Sequence, residues 1–181
     1  VAGMVGAVLD AWDGLDVLVN NAGVLSVGRV EELTEAAWDR VFDINAKGTF
    51  LVSQAVIPSM QAKRAGRIIH IASIGGKLGA PGQGHYCASK AAIIELTRVM
   101  AMELGPFGIT VNAVCPGIIV TDMGRVNLSD QASIDRWTDV TQLKRLGVPE
   151  DVVGPVAFFA GPDSGYITGQ SLNVCGGIVL H

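Results

Sequence analysis

The sequence predicts an α/β fold, a parallel sheet covered on both faces by helices. Short apolar runs alternate with longer helical stretches along the 181 residues. Two of the runs, Arg67–Ala72 (RIIHIA) and Ile109–Val114 (ITVNAV), are nearly continuous in apolar and β-branched residues. Strands buried on both faces read this way. Glycine and proline fall at the ends of the runs, where the chain must turn.

Taken in order, Val1–Trp12 has a helical pattern, and Leu15–Val19 (LDVLV) is a short strand closed by the turn signal Asn20-Asn21-Ala22-Gly23. Leu33–Met60 reads as mostly helical, with Thr34 placed to cap its start and Asn45 and Gly48 weakening its middle. Arg67–Ala72 is a strand bounded by Gly66 and by Ser73 with the glycine-rich loop after it. Tyr86–Leu104 is a helix stopped by Gly105-Pro106. Ile109–Val114 is a strand ending at Cys115-Pro116-Gly117. Thr121–Arg145 is polar and reads as irregular, with Trp137 its only aromatic. Pro149–Ala160 is a helix with proline at its first position and Glu150 and Asp151 in its first turn. Pro155 inside it predicts a bend or break. Ser171–Val174, before Gly176-Gly177, is the last strand.

Composition excludes several classes of function. The chain is 49% hydrophobic and 17% charged, with a net charge of −4 and no Lys/Arg run. That argues against nucleic acid or an anionic membrane as partner. No apolar stretch reaches the length of a membrane helix, and the acidic opening residues do not read as a signal peptide. Cys87, Cys115 and Cys175 lack a C-x-x-C spacing and read as buried thiols of a reducing, cytoplasmic compartment. His70, His85 and His181 are scattered, so no metal site is expected. His85 reads as a loop residue lining a pocket. In Ala91–Leu104 only Glu95, Thr97, Arg98 and Glu103 interrupt the apolar pattern, and Ala46–Met60 is similar. A helix lying on a sheet needs one apolar stripe. The surplus predicts a homo-oligomer, a dimer or tetramer, joined through these two helices.

The chemistry centres on Tyr86 and Lys90. Four residues apart at the start of a helix, they lie one above the other on one face. A phenol titrates near ~10, and an adjacent ammonium together with a helix N-terminus favours its ionised form. The pair therefore predicts a tyrosine general acid/base, with the lysine lowering its pKa.

Four motifs occur in order: NNAG at Asn20–Gly23, a serine after RIIHIA at Ser73, Tyr-x-x-x-Lys at Tyr86–Lys90, and the PGII-T run at Pro116–Thr121. From about Leu15 to Gly177 the sequence resembles the short-chain dehydrogenase/reductase family. The resemblance implies a Rossmann-type doubly wound sheet and hydride transfer between NAD or NADP and a carbonyl or alcohol. It implies that Tyr86 is the catalytic acid/base and that Lys90 lowers its pKa and holds the nicotinamide ribose. Ser73 would hold the substrate oxygen, and Asn45 would bend its helix and anchor a water leading to the lysine. Asn20, Ala22 and Gly23 match the turn beside the cofactor's adenosine. Pro116, Gly117, Ile119 and Thr121 match the segment that holds the nicotinamide carboxamide.

One part of the pattern is missing. No G-x-x-x-G-x-G phosphate loop is present, and Gly3 and Gly6 lie in a helical stretch with no strand before them. About 60–80 residues, a first βαβαβ segment, would ordinarily precede. The expectation is therefore a single NAD(P)-binding domain, residues 1–181, that is the C-terminal part of a longer protein. Its expected substrate is a polyol, diol or small sugar. The alternative is a 3-oxoacyl-carrier-protein reductase, for whose basic docking patch only Lys144 and Arg145 stand out. A non-catalytic oligomeric scaffold is the reading from a different class. Met123, Trp137 and the Arg125–Asp139 segment are expected to shape the substrate pocket as a mobile lid.

Overall fold

The computed structural model describes residues 1–180; His181 lies outside them. Four strands run parallel in the order β1 (Val17–Asn20), β2 (Gly66–Ile71), β3 (Ile109–Pro116) and β4 (Ser171–Val174). Val17 stands opposite Arg67, Ile68 opposite Val111, and Ala113 opposite Ser171. Among the described residues β1 pairs only with β2, so its other edge carries no strand.

Alternation along the strands sorts side chains to the two faces. Ile68 and Val111 pack with Val56 and Met60 of α3 (Gly48–Lys63) and with Met100 and Leu104 of α4 (Gly84–Leu104). Val5 of α1 (Ala2–Trp12) closes that layer. Ile69 and Val114, on the opposite face, pack against Phe159, Val152 and Val156 of α6 (Pro149–Ala160). Helices on both faces of a parallel sheet make this a Rossmann-type doubly wound fold, with all four strand C-terminal ends on one edge.

The long helical stretch forms in three joined pieces. Helix α2 (Glu35–Phe42) begins where the Ala37 amide donates to Thr34 Oγ1 at 3.2 Å. It passes into a π-helical turn, Asp43–Lys47, and then into α3. The weak point read at Asn45 and Gly48 is thus a widened turn, with no break in the helix.

Two expectations are corrected. Thr121–Arg145 is not irregular throughout, because it contains α5 (Gln131–Val140). Asp130 caps that helix, accepting from the Ser133 amide at 2.7 Å. With few apolar residues, α5 has no strong helical period to read, and the cap was its signal. Pro155 does not break α6, which runs unbroken from Pro149 to Ala160. The contacts of Val152, Val156 and Phe159 with the sheet hold the turns on both sides of the proline.

Outward-facing apolar residues remain on the helices predicted to be covered: Phe50 on α3, and Val99 and Met102 on α4. No helix among the described residues is long and apolar enough to cross a membrane.

Candidate active site

The C-terminal ends of β1, β2 and β3 open onto one cavity of about 1140 Å³. Ser73, Tyr86 and Lys90 line it, together with Ala22, Gly23, Pro116, Gly117, Ile119 and Thr121. Of the residues named from sequence, Asn20 and Asn45 do not line the cavity and lie behind its wall. Asn20 Nδ2 donates to Ser53 Oγ at 2.9 Å, which pins the base of the β1 turn to α3.

Ser73 follows β2 by two residues and caps a short 3₁₀ turn, accepting from the Gly75 amide at 3.0 Å. Its side chain also bears on the Tyr86 phenol, favouring ionisation against the effect of burial. That contact requires the Ser73 loop to lie directly on α4. Gly76 makes this possible, because a Cβ there would stand 2.7–2.9 Å from the backbone of Lys90 and Ala91. The sequence marked the loop only as glycine-rich. Its close approach to α4 was not readable from the residues alone.

Lys90 is buried and donates from Nζ to the Ile71 carbonyl at 2.8 Å. Its Nζ lies 5.8 Å from the centre of the Tyr86 ring. The two side chains therefore share one end of α4, as their spacing predicted. Their titration in this structure differs from the expectation. Burial pushes the Tyr86 phenol above its ordinary value, and the Ser73 side chain pulls it partly back. Burial likewise lowers the Lys90 ammonium to about 8. Desolvation opposes both charged forms here and outweighs the mutual stabilisation that spacing alone suggested.

Asn45 is fully buried in the π turn. Its Oδ1 accepts from the Val24 amide at 2.8 Å, and Nδ2 donates to the Val24 carbonyl and to Ser89 Oγ, each at 3.0 Å. One side chain thus clamps the loop after β1 against α4. Gly23 sits in the gap, where a Cβ would stand 3.4 Å from both Asn45 Oδ1 and Lys90 Nζ. On the opposite wall, Thr121 Oγ1 caps a turn by accepting from the Gly124 amide at 2.9 Å. Gly117 fits where a Cβ would lie 2.8 Å from Cys175. Gly23, Pro116 and Gly117 line the cavity without large side chains of their own, which leaves room along the wall for a flat ring such as a nicotinamide.

His85 is corrected. It lies inside α4, fully buried, with Nε2 2.6 Å from Ser26 Oγ, and does not line the cavity. It ties the loop after β1 to the start of α4. Met123 and Trp137 do line the cavity, and so do Val126 and Arg136, which sequence reasoning did not single out.

The family model described as enoyl-(acyl carrier protein) reductase matches residues 1–179. A 3-oxoacyl-[acyl-carrier-protein] reductase FabG of Staphylococcus epidermidis is 44% identical over 177 residues, 98% of this chain and 72% of the relative. The (2S)-[(R)-hydroxy(phenyl)methyl]succinyl-CoA dehydrogenase subunit BbsD of Thauera aromatica is 44% identical over 178 residues, 98% of this chain and 70% of the relative. The crystal structure of a gluconate 5-dehydrogenase from Burkholderia cenocepacia in complex with NADP and tartrate superposes with a TM-score of 0.95. It shares 30% identity, over 98% of this chain and 69% of that one. The motifs, the doubly wound sheet and these relatives agree, and the chain belongs to the short-chain dehydrogenase/reductase family of oxidoreductases.

Proposed function

We propose that this chain interconverts a secondary alcohol and a ketone, with NAD or NADP as hydride carrier. The observation that carries the reading is the meeting of Ser73, Tyr86 and Lys90 on one cavity wall. The residues that would hold the cofactor are Ala22 and Gly23 at the β1 turn, with Asn20 bracing that turn through Ser53, Tyr86 and Lys90 on α4, and Pro116, Gly117, Ile119 and Thr121 after β3. When bound, the nicotinamide supplies or accepts the hydride.

The chain's own residues handle the oxygen and its proton. Ser73 hydrogen-bonds the substrate oxygen, favouring the charge that grows there during reduction. Tyr86 gives its hydroxyl proton to that oxygen in reduction and takes it back in oxidation. Lys90, with a pKa of about 8, is largely an ammonium at neutral pH and offsets the cost of forming a buried phenolate beside it. Asn45 holds the β1 loop and α4 at a fixed separation.

Two substrate classes were expected, polyols and 3-oxoacyl thioesters. The apolar part of the cavity lining, which includes Leu78, Ala80, Pro81, Met123, Val126 and Trp137, supports the less polar one. The relatives named for 3-oxoacyl reduction support the same choice. Lys144 and Arg145 do not form a free docking patch. Lys144 bonds Asp139, and Arg145 pairs with Asp151 through two 2.7 Å bonds. Assembly through α3 and α4 would cover Phe50, Val99 and Met102.

The test mixes purified protein with NADH or NADPH and a panel of ketones, following absorbance at 340 nm. Turnover that falls at least about a hundredfold in Tyr86→Phe supports the reading. Turnover that survives unchanged in that variant removes Tyr86 from the mechanism. No turnover and no cofactor binding would favour the scaffold reading instead.

A further inference from the structure

The cavity carries a charge pattern that the hydride chemistry does not use. No Asp or Glu lines it, and its two cations are Lys90 and Arg136. Lys90 is already engaged by the Ile71 carbonyl beside Tyr86. Arg136, on α5, makes no ion pair among the described residues and has only a long 3.4 Å contact to Ser133 Oγ. The neighbouring carboxylate that bears on it, Asp130, is engaged by the Ser133 amide at 2.7 Å and Ser129 Oγ at 3.3 Å. The other polar pair on this side, Gln83 and Asn127, bond each other at 2.7 Å. The solvent-exposed Arg136 therefore has most of its donors free of protein partners, in a cavity whose lining also includes Gln83, Asn127, Ser129 and Ser133 and the apolar Leu78, Pro81, Met123 and Val126.

We propose that Arg136 is a specificity-determining residue, and that the substrate is a ketone or alcohol with an apolar body and one anionic end, a carboxylate or a phosphate. This rests on reading the cavity as a carbonyl/alcohol site. The planar guanidinium fork matches either anion through two parallel hydrogen bonds. The hydrocarbon or aryl body lies along Leu78, Pro81, Met123 and Val126, which offer a hydroxylated body no partners. A polyol would leave its hydroxyls unpaired against that wall.

The test measures binding by calorimetry for 4-oxo-4-phenylbutanoate, its uncharged methyl ester, 4-oxo-4-phenylbutyl phosphate and 5-ketogluconate. Variants are Arg136→Met and Arg136→Lys, with thermal melts as the folding check. The expected result is at least about tenfold tighter binding of one aryl anion than of the ester, lost in Arg136→Met and only partly kept in Arg136→Lys, which retains the charge but not the fork. Whichever aryl anion binds tighter identifies the anionic group. Equal affinity for the acid, phosphate and ester overturns the proposal, as does an anion preference that Arg136→Met leaves intact. Tighter binding of 5-ketogluconate than of either aryl anion overturns it too. Because binding is read without turnover, anion-selective binding by a protein that reduces none of these ketones would fail the oxidoreductase reading alone.

Discussion

Lys90 Nζ lies 2.8 Å from the carbonyl oxygen of Ile71, the last residue of β2. Ser73 follows two residues later. One strand end therefore fixes the ammonium and the serine hydroxyl, and α4 brings the phenol beside them. The geometry of the three depends on how the end of β2 meets the start of α4.

That position is costly for the fold. Burial lowers Lys90 from 10.5 to about 8, a penalty of roughly 3 kcal/mol for keeping the ammonium in the native state. Because the folded pKa lies below the unfolded one, the penalty is complete below pH 8. It is relieved as pH rises from about 8 to 10.5. Lys90→Met removes the penalty and loses one hydrogen bond worth about 1–1.5 kcal/mol. The variant is expected to be inactive and yet more stable at pH 7, by about 1–2 kcal/mol, or several degrees in Tm. Thermal melts at pH 7 and pH 10 check this, since the advantage should shrink at the higher pH.

Gly76→Ala tests whether the Ser73 loop must touch α4. The added methyl meets backbone atoms of Lys90 and Ala91 at 2.7–2.9 Å, and backbone cannot swing aside as a flexible side chain can. The loop is expected to lift by part of an ångström, carrying Ser73 away from Tyr86. Activity should fall at least tenfold, mostly in kcat, with about 1–3 kcal/mol of stability lost. Gly79→Ala is the control in the same loop, since a Cβ there meets nothing within 4 Å.

Much of the site was legible because its parts sit at strand ends and a helix start, where sequence punctuation is strongest. Tyr86 and Lys90 follow from a four-residue spacing, and Ser73 from the end of a β-branched run. The parallel sheet followed from RIIHIA and ITVNAV. What was hidden depends on tertiary contact. The direction of the Tyr86 shift is set by burial, which spacing does not carry. His85 stands next to Tyr86 in sequence yet turns to Ser26, because adjacent helix residues point about 100° apart. Helix α5, which presents Arg136 and Trp137 to the cavity, was missed for want of an apolar period.

Asn45→Ala should disturb fold and site together. It leaves the Val24 amide and carbonyl without the two bonds at 2.8 and 3.0 Å, and takes a donor from Ser89. Buried polar groups left unpaired cost about 1–3 kcal/mol each. A loss of roughly 2–4 kcal/mol is expected in urea unfolding. Hydrogen exchange should locate the loosening at residues 23–26 and the first turn of α4. Uniform loosening across the sheet would contradict the clamp.

His70 gives a prediction for acid conditions. Its Nδ1 is 2.9 Å from Thr97 Oγ1, and the Thr97 hydroxyl itself donates to the Ile93 carbonyl at 2.8 Å. Thr97 must then accept from His70, so the proton sits on Nδ1 and Nε2 is left to accept from Ser53 Oγ at 3.5 Å. Ser53 in turn accepts from Asn20 at 2.9 Å. A neutral imidazole satisfies this chain, and an imidazolium does not, because Nε2 would then need an acceptor where Ser53 presents its hydrogen. Burial holds His70 down from 6.5 to about 4. With the folded pKa depressed, the stability is fully present above pH 6.5 and is lost as pH falls towards 4, about 3 kcal/mol in all. His70→Asn removes the titration, so its stability should be much flatter than the parent's between pH 6.5 and 4. Urea unfolding across that range decides the matter: parallel acid limbs in the two proteins would mean that another group drives the loss.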